Sequence, residues 1–168
     1  FHFGPLAGGV GSTADSNASG VRVTGFGTGV ILRGLRLRLS GCNLTDSDTG
    51  INVGTNSGDV TISDCTVRLD ATNGIVGAYV QSARVKLTGC HITTQRAVGA
   101  YGGGDVPIGL RVANNADFVS AVGCRFEGFL NTVGPAGYGI FTEANSDDFI
   151  VDGCTIETAY TGVATSAG

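Results

Sequence analysis

Six residues of this chain pair hydrogen-bonding groups with flat apolar surfaces: Arg111, Phe141, Glu143, Tyr101, Asp105 and Tyr138. Together they suit a sugar ring. An aromatic side chain offers a platform to the sugar's apolar face, while a guanidinium or carboxylate addresses its hydroxylated or carboxylated rim. The six come from two strand-like stretches, Gly109-Leu110-Arg111-Val112 and Gly139-Ile140-Phe141-Thr142-Glu143, and from the long connections 93–108 and 127–138. They can act together only if a scaffold sets those stretches side by side. The same groups would also serve contact with another subunit, because aromatic rings and arginine are favoured there too.

Other chemistry-bearing residues read as scaffold. Glu127 and Glu157 each follow a cysteine by three residues. Carboxylates at short range can cleave glycosides, but these two fall away from the other candidates and read as a solvated pair of like charges. Arg36, Asp59, Arg84 and Asp148 each precede a cysteine by six residues. The first three alternate in sign, which predicts favourable pairing between neighbouring strands. Five cysteines with no C-x-x-C, and only His2 and His91 beside them, match no zinc pattern. They read as small buried hydrophobes with free thiols. No metal and no other cofactor is expected, and no catalytic residue can be named.

The element that positions these groups is written around the cysteines. Three residues before Cys42, Cys65, Cys90, Cys124 and Cys154 stand Leu39, Ile62, Leu87, Ala121 and Val151; two after stand Leu44, Val67, Ile92, Phe126 and Ile156. Immediately before each is a turn-former: Gly41, Asp64, Gly89, Gly123 or Gly153. A motif recurring every 23 to 34 residues marks a solenoid, whose repeats bury their apolar faces by stacking. Alternation of apolar and polar positions makes the repeat one of strands. The expected fold is therefore all-β, a right-handed single-stranded parallel β-helix of five to six coils with long loops on one edge. A second recurrence, Gly50-Ile51, Gly74-Ile75, Gly109-Leu110, Gly139-Ile140 and Gly162-Val163, opens a first strand, the first four lying 15 or 16 residues before the next cysteine. On this alignment Asn52, Val76, Arg111, Phe141 and Ala164 point outward at one level. On the second strand, Val122 and Ile150 form an apolar outer patch, where earlier coils carry Arg38, Thr61 and Lys86.

Composition sets the outer limits. The chain has 168 residues, 10 basic against 14 acidic side chains and 29 glycines, which fits one turn-dense β domain rather than disorder. Residues 1–19 lack the repeat and are expected to form a cap, linker or arm, with 20–168 as the β-helix. There is no basic run to suggest a nucleic-acid partner and no apolar stretch to suggest membrane insertion. No methionine occurs, so the expectation is a processed chain or a segment of a longer one.

On these repeats, residues 20–168 resemble the right-handed parallel β-helix of the pectin-lyase-like superfamily, which includes pectate lyases, polygalacturonases, epimerases and bacteriophage tailspikes. In that group the bend between the second and third strands is short and constant, as Gly41-Cys42 and its equivalents are here. The arc after the third strand varies, as it does here after Cys90 and Cys124. The resemblance implies a groove along the first strand. The Asn-Thr-Asp, Gly-His-Gly and Arg-Ile-Lys elements of polygalacturonases are absent, and Asp147-Asp148 matches only their Asp-Asp fragment. Most similar is a tailspike or tail-fibre domain: a homotrimer on a virion, presented to bacterial surface polysaccharide. The alternatives are a polysaccharide lyase or glycoside hydrolase of the superfamily and a secreted, extracellular adhesin.

Overall fold

The computed structural model describes residues 2–3, 14–70, 75–94, 106–130, 137–157, 159 and 161–166. Strands follow one another in a cycle of three, and each pairs in parallel with the strand three places earlier. The first sheet holds His2–Phe3, Thr28–Leu32, Thr49–Val53, Val76–Val80, Ile108–Val112, Tyr138–Thr142 and Thr161–Thr165. The second holds Ala14–Ser19, Leu35–Ser40, Val60–Ser63, Val85–Thr88, Ser120–Val122 and Ile150–Asp152. The third holds Arg22–Thr24, Asn43–Ser47, Thr66–Leu69, His91–Thr94, Arg125–Glu127 and Thr155–Glu157. The fold is a right-handed parallel β-helix of about six coils, all-β throughout the described residues.

The core is a set of stacked rows, one residue per coil. Leu39, Ile62, Leu87 and Ala121 stack in register on the second sheet, and Leu44, Val67, Ile92 and Phe126 on the third. Each fully buried aliphatic side chain contributes roughly 1.5–3 kcal/mol relative to exposure. Cys42, Cys65, Cys90 and Cys124 are buried and Cys154 half-buried, all five as free thiols. Each thiol lies against backbone carbonyls: Cys65 Sγ donates to Ser63 O at 3.3 Å and to Leu39 O of the preceding coil at 3.7 Å. Contact with the Cys90 thiol, followed by burial, pushes Cys124 up from the ordinary thiol range, and burial raises Cys154. The bend before each cysteine is left-handed, with φ between 53° and 61° from Gly41 to Gly153. Glycine fills it in four of these five coils because only backbone freedom is needed there.

Register corrects the sequence alignment in one coil. Val76 does not stand beside Asn52; Tyr79 does, paired with Asn52 on one side and Arg111 on the other. The repeating glycine is Gly77 rather than Gly74, which lies outside the described residues. A Cβ at Gly77 would collide with Ile92 Cγ2 and lie 2.5 Å from Gly109 O. Gly50, Gly109 and Gly139 are hemmed in by neighbouring coils in the same way. The choice of Gly74 had concealed a short turn. From the end of each first-sheet strand to the equivalent core positions Leu37, Val60, Val85, Val119 and Phe149 of the second sheet, the chain uses six residues at 54–59, 113–118 and 143–148, but four at 33–36 and 81–84. The arc expected to be constant thus changes length, always by two, so inward residues stay inward.

Two further placements differ from expectation. Ala14–Ser19 pairs in register with Leu35–Ser40, and His2–Phe3 with Ile31–Leu32. The ladders therefore include residues of the 1–19 stretch, expected to form a cap, linker or arm. Val122 and Ile150 share the second sheet's outer face but not a row: Val122 neighbours Asp152, and Ile150 neighbours Ser120. The strand offset of two residues separates them, so they form no continuous apolar stripe.

Candidate glycan-binding face

Parallel stacking puts one outward residue of the first sheet per coil into a row: Ile31, Asn52, Tyr79, Arg111, Phe141 and Ala164. Neighbouring coils lie roughly 4.8 Å apart, close enough for adjacent side chains to touch. At the centre, the Arg111 guanidinium lies over the Tyr79 ring, 4.9 Å from its centroid. On the far side of Arg111 comes Phe141, whose ring lies 5.0 Å from that of Tyr138 at an interplanar angle of 33°. Tyr138 and Phe141 are on one strand, flanking Gly139 and Ile140, which face the core. The result is a flat strip of rings and guanidinium spanning three coils.

Glu143 fixes the arginine. It is the first residue of the turn after Tyr138–Thr142, so its carboxylate lies beside the preceding coil's turn. Arg111 Nε donates to Glu143 Oε1 at 2.7 Å, and the Asn114 backbone N–H donates to Glu143 Oε2 at 3.1 Å. Glu143 N–H in turn donates to Val112 O at 2.9 Å. Both lone-pair faces of the carboxylate are thus engaged. Arg111 Nη2 also lies against Glu143 Oε1, yet the residue remains 39% exposed, and the guanidinium N–H groups not turned to this carboxylate are available to a ligand. Such an arrangement can grip hydroxyl or carboxylate oxygens while the rings meet an apolar sugar face.

Of the six residues named from sequence, Arg111, Phe141, Glu143 and Tyr138 come together; Tyr101 and Asp105 lie outside the described residues. Tyr79 was missed because the alignment put Val76 in its place. Matching Ala78 and Val80 to Ile51 and Val53, rather than matching glycines, would have found it. Asn52 lies one coil further along the row, with Oδ1 buried and without a hydrogen-bond partner.

The third sheet carries a different cluster. Glu127 and Glu157 stand in register on adjacent coils, as the sequence placed them, but not as a bare pair. Arg125 lies between them, its Nη2 3.0 Å from Glu157 Oε2 and its Nε 3.4 Å from Glu127 Oε2. His91 Nε2 approaches Glu127 Oε2 at 3.2 Å. A sugar-cleaving pair needs the space between its carboxyls for the substrate, and here an arginine fills it. Among the described residues no group of three His, Cys, Asp or Glu side chains could hold a metal ion.

No curated protein and no solved structure matches the chain. A family model does: the right handed beta helix region matches residues 7–117, from before the first described second-sheet strand to the turn just beyond Arg111. With two-thirds of its length matched and its strands stacked in three parallel sheets, the chain belongs to the right-handed β-helix family.

Proposed function

We propose that this chain is a glycan-binding β-helix, the receptor-binding kind carried by a virion in the manner of a phage tailspike or tail fibre. In that setting it would be a homotrimer presented to a bacterial surface polysaccharide. The observation that carries the glycan reading is the row Tyr79, Arg111 and Phe141, with Glu143 holding the arginine in place between the rings. Binding is favoured over cleavage by the state of Glu143. Among the described residues of this group it is the one carboxylate, and it is engaged by Arg111 and by the Asn114 N–H.

The test is binding to capsular, lipopolysaccharide and pectic glycans, with product size followed by chromatography. Replacing Arg111→Ala and Phe141→Ala together should keep oligomeric state and weaken binding about tenfold or more, from the loss of ring stacking and a charged hydrogen bond. A variant that falls to a smaller assembly with unchanged glycan binding would make this face a subunit contact. Shortening of a glycan by the wild-type chain would instead favour the lyase or hydrolase alternative.

A further inference from the structure

A second face of the coil carries an unexplained choice of residues. Where the chain turns from the first sheet into the second, every coil has a residue with left-handed backbone: Asp15, Arg36, Asp59, Arg84, Phe118 and Asp148, with φ from 54° to 61°. In three of them the N–H reaches the next coil: Arg36 N–H to Gly58 O, Arg84 N–H to Asp117 O and Phe118 N–H to Asp147 O. The bend before the cysteines meets the same demand with glycine almost throughout. Here glycine never appears. Aspartate tolerates this region, but arginine and above all phenylalanine are strained in it. Backbone geometry alone would select glycine or asparagine, so the side chains themselves must be wanted.

Two of the strained residues have visible partners. Arg36 Nε bonds Asp15 Oδ1 at 2.9 Å, and Arg84 Nε bonds Asp59 Oδ1 at 2.6 Å. These pairs flank an open groove of about 420 Å³ that Arg38 and Lys86 also line. Arg38 and Lys86 occupy the same outward row of the second sheet, two coils apart with Thr61 between them, a separation of roughly 10 Å. Neither is paired with a carboxylate among the described ion pairs. Four of the chain's 10 basic residues line this groove against two acidic ones, although the whole chain carries a net charge of −4. Phe118 continues the left-handed column one coil beyond Arg84, and it is 60% exposed. It thus combines strain with little burial in return.

We propose that this strip binds an acidic polysaccharide, with sugar oxyanions on Arg38 and Lys86 and the Phe118 ring as an apolar platform. None of its residues belongs to the first-sheet face, so it does not rest on the function proposed for that face. The paired Asp15 and Asp59 offset the charge of Arg36 and Arg84, which favours a chain of widely spaced charges over the dense phosphates of nucleic acid.

Binding should be measured for polygalacturonate and for dextran sulfate, with neutral dextran as control, at low and at raised salt. These two arms separate a carboxylate ligand from a sulfate ligand. At least one should bind above neutral dextran, and salt should weaken it. Replacing Arg38→Gln and Lys86→Gln together should weaken binding about tenfold. Phe118→Asn should weaken it about fivefold while raising the urea midpoint, because asparagine accepts positive φ more readily. The proposal is overturned if neither polyanion exceeds neutral dextran, if the double variant changes binding less than about twofold, or if duplex DNA competes equally well. A lowered urea midpoint in Phe118→Asn would also overturn it, since the ring would then be serving the fold.

Discussion

Replacing Gly77→Ala tests whether close approach between coils, rather than turn formation, sets the repeating glycine. The added methyl would collide with Ile92 Cγ2 and stand 2.5 Å from Gly109 O. The first obstacle is a branched core side chain, and the second is backbone already committed to a parallel ladder. Overpacking of this kind costs about 1–3 kcal/mol, and the backbone obstacle argues for the upper part of that range. Alanine returns roughly 0.4–1 kcal/mol by restricting the unfolded chain. The net expectation is a loss of about 2 kcal/mol, read as a urea midpoint lower by about 1 M at unchanged slope. Gly162 holds the equivalent position in the last coil, where the nearest atom to a Cβ is Ile156 Cδ1 at 3.9 Å. Gly162→Ala should therefore be neutral or slightly stabilising. Ile92→Leu removes the offending Cγ2, so combining it with Gly77→Ala should recover at least about 0.5 kcal/mol beyond additivity. If Gly77→Ala leaves the midpoint within about 0.2 M of wild type, the packing argument is wrong.

The thiols give a second check. A thiol-specific reagent should find five groups after denaturation, and the four buried ones should react slowly in the folded chain because burial withholds them from the reagent, with a raised pKa adding to this at Cys90 and Cys124; rapid native labelling would refute the column. The Cys124 thiol alone would pull Cys90 down, but its bond with Cys65 and burial outweigh that and push Cys90 up to about 11. The folded state then holds this proton more tightly than the unfolded state. Stability should be complete below pH 9 and fall as pH rises toward about 11, a decline that Cys90→Ala should flatten. Removing residues 97–104 should move the urea midpoint by less than about 1 kcal/mol equivalent, because other coils join the third sheet to the first with short arcs and loop entropy changes slowly with length. Loss of cooperative unfolding would place that segment in the core.

Much of the coil was legible because its constraints are local and repeated. Burial of Leu39, Ile62 and Leu87, and the left-handed bend before each cysteine, leave the same signature in coil after coil. Tyr79 was not legible from glycine matching, since Gly74 and Gly77 both precede apolar residues, Ile75 and Ala78, and the two are separated only when the whole strand is aligned through Ala78 and Val80. Nor was the column from Asp15 to Asp148. Its backbone demand is met by charged and aromatic residues, which carry no sequence mark of positive φ. The Arg111–Glu143 bond joins residues 32 apart and depends on the register that pairs Arg111 with Phe141. The similar residue types predicted the neighbourhood, but only the coil spacing makes the contact.

The two turn lengths between the first and second sheets amount to a rule for how such a chain can be edited. Four residues or six reach the next sheet with the same face inward, whereas five would bring Leu37 or Val60 round to solvent and carry every following residue of that strand with it. Length change on this edge is thus quantised in dipeptides. A gene encoding such a coil can gain or lose six nucleotides there and keep its core. A change of three keeps the reading frame yet breaks the fold, so single-codon insertions at 33–36 or 54–59 should be rare among working variants and paired ones tolerated.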